Sequence, residues 1–432
     1  MLVYCPNCQL YCPKMAYYCP MAEAVSRERI QQLLVDAGRF FSPSAPVDEK
    51  SLFAGRLEQM IQVIDSINQK GQHCIIFGDR GVGKTSLANV LSAFLPPGQK
   101  IVPIRVNCDT GDTFDSLWRK VFSEVQDNEY NVNSGFGGDA QPARLDVSEE
   151  FVTPEIVRRQ FSRWSSRFTP LVIIDEFDRI DDGYRTIFAD TIKTLSDRAS
   201  PGTVLLVGVA ESVDQLIVAH ESVQRALVQV KMPRMSQAEV KEVVTKGLTA
   251  LQMTIDRIAI ERIAILAQGL PHYAHLLGLH SARSALIEDS VHITTELLND
   301  AVKKAIEGAQ QSIRSAVHKA IASPRKDNLF AEVLLSCALA ARDDMGTFAA
   351  QDVRGPMQMI TGKAYEIPSF AQHLNEFSET KRGNILKKTG GSRRFRYTFA
   401  NPLLQPYVVM KGFADGKITA DVFDLLAGRK PY

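Results

Sequence analysis

The sequence predicts an α/β fold in which a parallel sheet flanked by helices is followed by an all-helical region and, near the C-terminus, a winged helix. Three observations predict this class. Short apolar runs alternate with helical patterns up to residue 233, and residues 235–321 carry helical periodicity throughout. Near the end, three helical patterns precede two basic runs that flank a Gly-Gly pair, as in a hairpin. The 432 residues, 45% of them hydrophobic, suffice for about two or three packed domains.

Charge and hydropathy restrict the function classes. Fifty Lys and Arg residues against 49 Asp and Glu residues leave a net charge near zero, so nucleic-acid binding requires a local basic patch. No apolar run has the length needed to cross a membrane, and the start is not of the secretory type. We therefore expect a soluble cytoplasmic protein.

The first residues are unusual because four of the seven cysteines crowd into them, at Cys5, Cys8, Cys12 and Cys19. In a reducing compartment four thiols could hold Zn²⁺. Their spacing matches no common zinc motif, however, and a conventional polar helix begins at Met21. Two interpretations stay open: a zinc site, and an extension upstream of the native start. The spacing favours the second.

A glycine-rich loop from Phe77 to Ser86 organises the first half of the chain. It fits the pattern Gly, four residues, Gly-Lys-Thr, and it stands between an apolar strand and a helix, the context of a phosphate-binding (Walker A) loop. Glycines let backbone N–H groups turn toward a polyphosphate, Lys84 reaches the outer phosphates, and the Thr85 hydroxyl binds Mg²⁺. The predicted nucleotide-binding residues are Gly78, Asp79, Arg80, Gly81, Val82, Gly83, Lys84, Thr85 and Ser86. Phe53, before the loop, is a candidate base contact or a core residue.

The companion signal is an apolar run over residues 171–174 that ends in Asp175 and Glu176. The carboxyl end of a buried parallel strand opens on the ligand crevice. Asp175 is predicted to hold Mg²⁺ through water, and Glu176 to polarise the attacking water as general base. A later strand ends at Glu211 and Ser212, for which a contact near the γ-phosphate and a plain loop role stay open.

The C-terminal region carries a local basic patch. Residues 381–396 contain seven basic residues and no acidic one. Three helices and a basic hairpin predict a winged helix, with Gly355-Pro356 expected to bend or interrupt the second helix. The candidate DNA contacts are Gln372, His373, Lys387, Lys388, Arg393, Arg394 and Arg396. The alternative is a solvated hairpin on a winged helix that binds protein.

These features together resemble AAA+ ATPases of the origin-recognition and initiator type, which are related to transposon-associated and signal-transducing P-loop ATPases. The resemblance covers about residues 50–410 and implies a P-loop NTPase core with a parallel sheet, an all-helical lid and a C-terminal winged helix. The predicted division is a Cys-rich extension over residues 1–20, a helix and linker over 21–50, an AAA+ α/β ATPase core over 51–233, a helical lid over 234–322, a winged-helix domain over 323–415 and a C-terminal tail over 416–432.

The resemblance also implies roles for single residues. Arg225 stands where such proteins carry an arginine finger for a neighbour's γ-phosphate, which implies a homo-oligomer; a surface Arg is the alternative. His272 stands where many relatives carry a sensing Arg. The Gly269-Leu270-Pro271 element is similar to that of signal-transducing ATPases, whose Pro contacts the base, so Pro271 is a candidate base contact.

The resemblance finally implies an activity. We expect an ATPase that uses ATP and Mg²⁺, with Lys84, Glu176 and Arg225 as catalytic residues and with slow turnover stimulated by DNA or a partner. Nucleotide state would set whether double-stranded DNA is held. The alternative is a signalling or defence-type switch that binds protein partners and hydrolyses ATP slowly.

Overall fold

The computed structural model describes residues 3–4, 11–12, 26–46, 51–95, 100–133, 151–210, 212–217, 221–324, 328–343, 346–391 and 394–426. Two short strands, Val3–Tyr4 and Tyr11–Cys12, pair antiparallel. Of the four N-terminal cysteines predicted as one group, Cys5, Cys8 and Cys19 lie outside the described residues, and only the backbone of Cys12 is described.

A parallel sheet forms the centre of the first half of the chain. Its strands are β1 (His73–Gly78), β2 (Ile101–Asn107), β3 (Thr169–Asp175), β4 (Thr203–Val209) and β5 (Leu227–Lys231). The strand order is β2-β3-β4-β1-β5, and every neighbouring pair is parallel. The central strands read as continuous apolar runs because both faces are covered: Ile75 packs in one hydrophobic cluster and Ile76 in the other. The predicted α/β class is confirmed.

Helices cover the two faces of this sheet. They are α2 (Leu57–Asn68), α3 (Lys84–Val90), α4 (Phe114–Asn133), α5 (Pro154–Trp164), α6 (Asp182–Asp197) and α7 (Glu221–Ala226). Helix α1 (Arg27–Phe40) precedes them and packs elsewhere. The Thr153 hydroxyl accepts a hydrogen bond from the Ile156 backbone N–H, and Pro154 takes the first helical position, as the sequence predicts. Helix α4 extends further than its apolar pattern predicts, and residues 134–150 of the expected surface loop are outside the described ranges.

A helical region follows β5, and we call it the lid after its predicted role. It contains α8 (Gln237–Ala250), α9 (Arg257–Leu266), α10 (Pro271–Ile287), α11 (Thr295–Glu307) and α12 (Gln311–Ile321), with a short parallel pair, β6 (Thr254–Ile255) and β7 (His292–Ile293). Ser236 and Glu239 form the predicted capping box of α8. Helix α10 begins at Pro271 rather than after it, because Pro is favoured at the first helical position.

Helix α1 packs on the lid rather than on the sheet. It contacts α8 and α10, and the Phe41 ring that follows it is fully buried. The ring lies where Gly247 and Gly278 leave room, since a Cβ at either glycine would collide with it. Glycines within helices normally cost stability, so this pair marks a close approach of α1 to both helices.

The C-terminal domain has the predicted helix order followed by a hairpin. It contains α13 (Phe330–Leu339), β8 (Phe348–Ala349), α14 (Ala350–Thr361), α15 (Pro368–Phe377), β9 (Leu386–Thr389), β10 (Arg396–Phe399) and α16 (Leu404–Ala414). The strands form an antiparallel sheet in the order β8-β10-β9. Helix α14 runs through Pro356, contrary to the expected interruption, because its buried Val353 and Met357 face α13 and packing offsets the lost hydrogen bond.

The predicted tail carries a further helix, α17 (Ala420–Leu426). Its Phe423 is buried and meets Phe413 edge to face, and the Arg262 guanidinium of α9 lies 5.3 Å from its ring. The tail therefore continues the contact between the C-terminal domain and the lid. Across the described ranges, no helix combines the length and the apolar character that crossing a membrane requires.

Candidate nucleotide-binding site

The loop between β1 and α3 has a backbone that requires glycine. Gly78, Gly81 and Gly83 have φ values of 148°, 84° and 95°. A Cβ at Gly78 would also collide with the Met232 carbonyl oxygen, which follows β5. The spacing read from the sequence thus corresponds to a loop whose turns L side chains rarely adopt. Within it, Val82 is buried, Asp79 and Ser86 are half-buried, and Arg80 is exposed.

Lys84 points back into this loop. Its side chain is buried, and Nζ donates to the Gly78 and Asp79 carbonyl oxygens at 3.0 and 2.8 Å. Burial lowers the pKa of the Lys84 ammonium to about 8, against the opposing effect of Asp178, Asp175 and Asp79. An ammonium held by loop carbonyls is placed to exchange them for phosphate oxygens.

This lowered pKa predicts a pH dependence of nucleotide binding. Bound phosphates favour the protonated ammonium, so the pKa of Lys84 in a complex lies above its value of about 8 in the free protein. The affinity for ATP is therefore highest at pH values below the pKa of Lys84 in the free protein, about 8. Above it the dissociation constant for ATP should rise by up to about tenfold per pH unit, until the pKa of the complex is reached. Titration calorimetry between about pH 7 and pH 9.5 measures this.

The matched control is Lys84→Arg, whose guanidinium stays protonated over this range. Whatever its absolute affinity, its profile should be flat. A wild-type profile as flat as that of Lys84→Arg would contradict the assignment of Lys84 as the titrating group.

The predicted metal and base residues meet in one place. Thr85, Asp175 and Glu176 line a cavity of about 410 Å³ together with Arg105 and Asn107 of β2. Asn107 is the register partner of Asp175, so the ends of β2 and β3 meet here. Hydroxyl and carboxylate oxygens are ligands that suit Mg²⁺. Among the described residues, no three acidic, His or Cys side chains are placed to hold a metal ion together, and a Mg²⁺ site that draws on phosphate and water does not require such a group.

Glu176 has a neighbour that sequence reasoning missed. It sits in a left-handed turn (φ 55°), and its carboxylate pairs with Arg179 at 3.1 Å. Both side chains are nearly half exposed. The ion pair therefore contributes only about 0–1 kcal/mol to folding stability, and it opens readily. Asp178 was also missed: its carboxylate accepts the Val209 backbone N–H at 2.8 Å and so ties this turn to the end of β4.

The lid closes over the loop from one side. Pro271 lies next to Gly83, with its Cγ 3.6 Å from where a Cβ on that glycine would stand. His272, at the position of the expected sensing residue, hydrogen-bonds through Nδ1 to the Pro43 carbonyl at 2.6 Å. The same linker reaches the cavity through Pro46. Residues 42–46 thus extend from the lid to the Asp175 side of the site.

Two residues before the loop, Phe53 and Arg56, are hydrogen-bonded to the lid helix α8, and Arg56 also bonds to the loop. The Phe53 ring packs edge to face on Phe94 at 6.3 Å, and its carbonyl accepts a hydrogen bond from Lys246 of α8. Arg56 is buried and donates to the carbonyls of Val82 and Pro233 at 3.3 and 2.5 Å. Burial lowers the pKa of Arg56 against the effect of Glu239. No motif marks Arg56 in the sequence.

Arg225 and the end of β4 lie outside this cluster. Arg225 is exposed at the end of α7, and its carbonyl accepts a hydrogen bond from Gln72, just before β1. Because β1 and β5 are parallel, this is the opposite edge of the sheet from the loop. Glu211 is outside the described residues, and Ser212 is half-buried at the start of a short 3₁₀ turn.

The side chains of the candidate DNA-contacting residues differ in their exposure and in the protein groups that they contact. Lys387, Lys388 and Arg394 are exposed, and Lys388 donates to Asn375 Oδ1 at 2.7 Å. Arg396 pairs with Asp343 at 2.8 Å. The His373 ring packs on Phe330, with ring centroids 4.6 Å apart.

Two further members of that set complete the description. Gln372 is exposed and donates to Glu376 Oε1 at 3.0 Å. Arg393 lies outside the described residues. Lys387, Lys388 and Arg394 therefore form the described basic surface of the hairpin.

Comparison with known proteins agrees with this geometry. Residues 67–217 match a family model described as an AAA domain. The chain is similar to the structure of a Walker-type ATPase of Pyrococcus abyssi, with 18% identity, a TM-score of 0.54, and 85% of this chain and 99% of that chain covered. At this identity the likeness shows a shared fold. No curated protein is detectably similar in sequence.

Weaker structural similarities extend over much of the chain. Cdc6p from Pyrobaculum aerophilum has 13% identity and a TM-score of 0.44, covering 88% of this chain and 99% of that chain. The Orc1 protein of Aeropyrum pernix, solved in complex with DNA, has 15% identity and a TM-score of 0.42, covering 88% and 97%. Residues 67–217, which match the AAA-domain model, thus contain the glycine-rich loop, the Asp175-Glu176 turn and four of the five strands of the parallel sheet.

Proposed function

We propose that the protein binds and hydrolyses ATP with Mg²⁺ and acts as a nucleotide-dependent switch that holds double-stranded DNA through its C-terminal winged helix. The observation that carries the proposal is the convergence at one loop. The buried Lys84 ammonium, the cavity lined by Thr85, Asp175 and Glu176, and the first turn of the lid helix α10 all meet there. Binding, hydrolysis and domain position can thus be linked at one place.

The chain's own residues divide the reaction between them. Lys84 binds the outer phosphates once it leaves the Gly78 and Asp79 carbonyls. Glu176 accepts the proton of the attacking water after its ion pair with Arg179 opens. Pro271 and the linker residue Pro46 limit the access of bulk water. Thr85 and Asp175 would hold Mg²⁺, which supplies charge neutralisation on the phosphates when bound.

Arg225 extends the proposal to an oligomer. Arg225 is exposed at the end of the sheet opposite its own loop, so in the proposed reaction it serves the site of another copy. An arginine delivered in this way stabilises charge on a transferring phosphoryl group. A homo-oligomer in which Arg225 completes the neighbouring site is part of the proposed function.

The proposed DNA contact rests on the exposed hairpin. A set of lysine and arginine side chains binds phosphates with strong salt dependence. We expect Glu176→Gln protein to bind duplex DNA more tightly with ATP than without, with affinity falling as salt rises. Changing both Lys387 and Arg394 to Ala should reduce the slope of log affinity against log salt by about 2. Fluorescence anisotropy of labelled duplex DNA across a salt series measures both effects.

The matched control changes Arg257 and Lys303 of the lid to Ala, since both are exposed cations outside the hairpin. It should leave the salt slope unchanged. An equal loss of slope in the control and in the hairpin variant would show that general charge, not the hairpin, carries binding.

A second candidate is a switch that binds a protein partner and hydrolyses ATP slowly. It is favoured by His272, which bonds to Pro43 instead of presenting a fixed cation to the phosphates, and by the pairing of Arg396 with Asp343. Absence of DNA binding in every nucleotide state would support this candidate and assign the hairpin to a protein contact.

A further inference from the structure

One guanidinium joins three parts of the chain beside the phosphate-binding loop. Arg234 follows β5, and its Nε lies 3.4 Å from Asp79 Oδ2 in the loop. Its Nη1 donates to the Gln268 carbonyl of the lid at 3.2 Å and to Gln405 Oε1 of α16 at 2.7 Å. The Arg234 side chain is only 18% exposed, so these bonds form largely out of water.

Gln405 carries the connection into the C-terminal domain. Its side chain is buried, and Nε2 donates to Gln268 Oε1 at 2.7 Å and to the Ala338 carbonyl at 2.6 Å. The amide oxygen is thus bonded to Arg234, and the amide nitrogen to the lid and to the end of α13. Leaving such a group without partners when buried is costly, so the amide holds one defined position.

The same region touches the loop and the lid a second time. The Leu403 side chain faces Gly81, 3.5 Å from where a Cβ would stand, and the Leu403 carbonyl accepts a hydrogen bond from the Tyr273 hydroxyl at 2.7 Å. The start of α16 thus makes an apolar contact with the phosphate-binding loop and a hydrogen bond with the lid. A movement of the loop would therefore also affect the start of α16.

Asp79 stands between the ligand-binding ammonium and this network. Its carbonyl accepts a hydrogen bond from Lys84 Nζ at 2.8 Å, and its carboxylate pairs with Arg234. When phosphate draws the ammonium away, the carbonyl loses its partner and the residue is released to turn. The carboxylate of the same residue is the group that contacts Arg234, so a turn of Asp79 would alter that contact.

We propose that Arg234 is a positioning residue that couples occupancy of the phosphate-binding loop to the position of the C-terminal domain, through Asp79 on one side and Gln405 on the other. The inference rests on the proposed function in taking ATP as the ligand. It adds the route by which nucleotide acts on the winged helix, and the coupling is reciprocal.

Hydrogen–deuterium exchange of the full-length Glu176→Gln protein, with and without ATP·Mg²⁺, tests the proposal. In protein with Arg234, ATP should change exchange in both the loop and α16, the latter by about 5- to 150-fold. In Arg234→Met, exchange in the loop should still respond to ATP, and exchange in α16 should change by less than about twofold. Gln405→Met removes the other partner of Arg234 and lies outside the predicted nucleotide-binding residues, so it gives the same test should Arg234→Met not fold.

Arg257→Met is the matched control, because Arg257 is exposed on α9 and pairs with Glu261 outside the network. In this variant, ATP should change exchange in the loop and in α16 as it does in the protein that has both Arg234 and Arg257. An α16 response that persists in Arg234→Met and Gln405→Met overturns the coupling while leaving ATP binding intact. A loop that never responds to ATP instead refutes the proposed function, so the two failures are distinguishable.

Discussion

Glu176→Gln should lower kcat for ATP hydrolysis by about 10²–10⁴-fold and leave ATP affinity within about threefold of the wild-type value. An amide cannot accept the proton of the attacking water. The Glu176 carboxylate does not hold the phosphate-binding loop, whose Lys84 bonds to the Gly78 and Asp79 carbonyls. Phosphate release under single- and multiple-turnover conditions, with a separate binding titration, measures the two effects.

The matched control is Glu155→Gln, a half-exposed glutamate on α5 that pairs with Arg158 as Glu176 pairs with Arg179. It should retain wild-type turnover. Turnover of Glu176→Gln equal to that of this control would remove Glu176 from the role of general base. A parallel loss of ATP affinity would instead assign it to ground-state binding.

Phe41→Ala should lower the free energy of unfolding of the unit formed by α1 and the lid by about 3–5 kcal/mol. The Phe41 ring is fully buried between Gly247 and Gly278 and meets His275 at 6.2 Å. Removing the ring leaves a cavity that two helices cannot close without moving together. Native-state hydrogen exchange of α1 and α10 amides measures the loss.

Phe151→Ala removes the same atoms from a side chain that is 84% exposed, and it should change stability by less than about 0.5 kcal/mol. Equal effects of the two substitutions would contradict the assigned packing of α1. The linker beyond Phe41 reaches His272 and the nucleotide cavity, so Phe41→Ala should also speed ATP dissociation.

Much of the core could be predicted because its signals are local. Strands β2 and β4 have the bounds expected from their apolar runs, and the capping box at Ser236 and Glu239 is read within four residues. The glycine pattern of the phosphate-binding loop is equally local, since each glycine is required by the φ value at its own position. Such features need no knowledge of what packs against them.

Other features depend on partners far away along the chain. No pattern near Arg234 indicates that Asp79, 155 positions earlier, and Gln405, 171 positions later, meet at its guanidinium. The ion pair between Arg179 and Glu176 is not predictable from the sequence for a similar reason. It becomes apparent only when the conformation of the turn that brings the two side chains together is known.

The sequence by itself determined the α/β class, the phosphate-binding loop and the residues that end β3, because backbone conformation and strand burial are recorded in residue type and period. Only the tertiary structure decided that α1 belongs to the lid, that α17 continues the C-terminal domain onto α9, and that Arg234 ties that domain to the loop. The physical reason is that side-chain packing and buried hydrogen bonds are properties of pairs, and one chain read in order does not show which pairs will form.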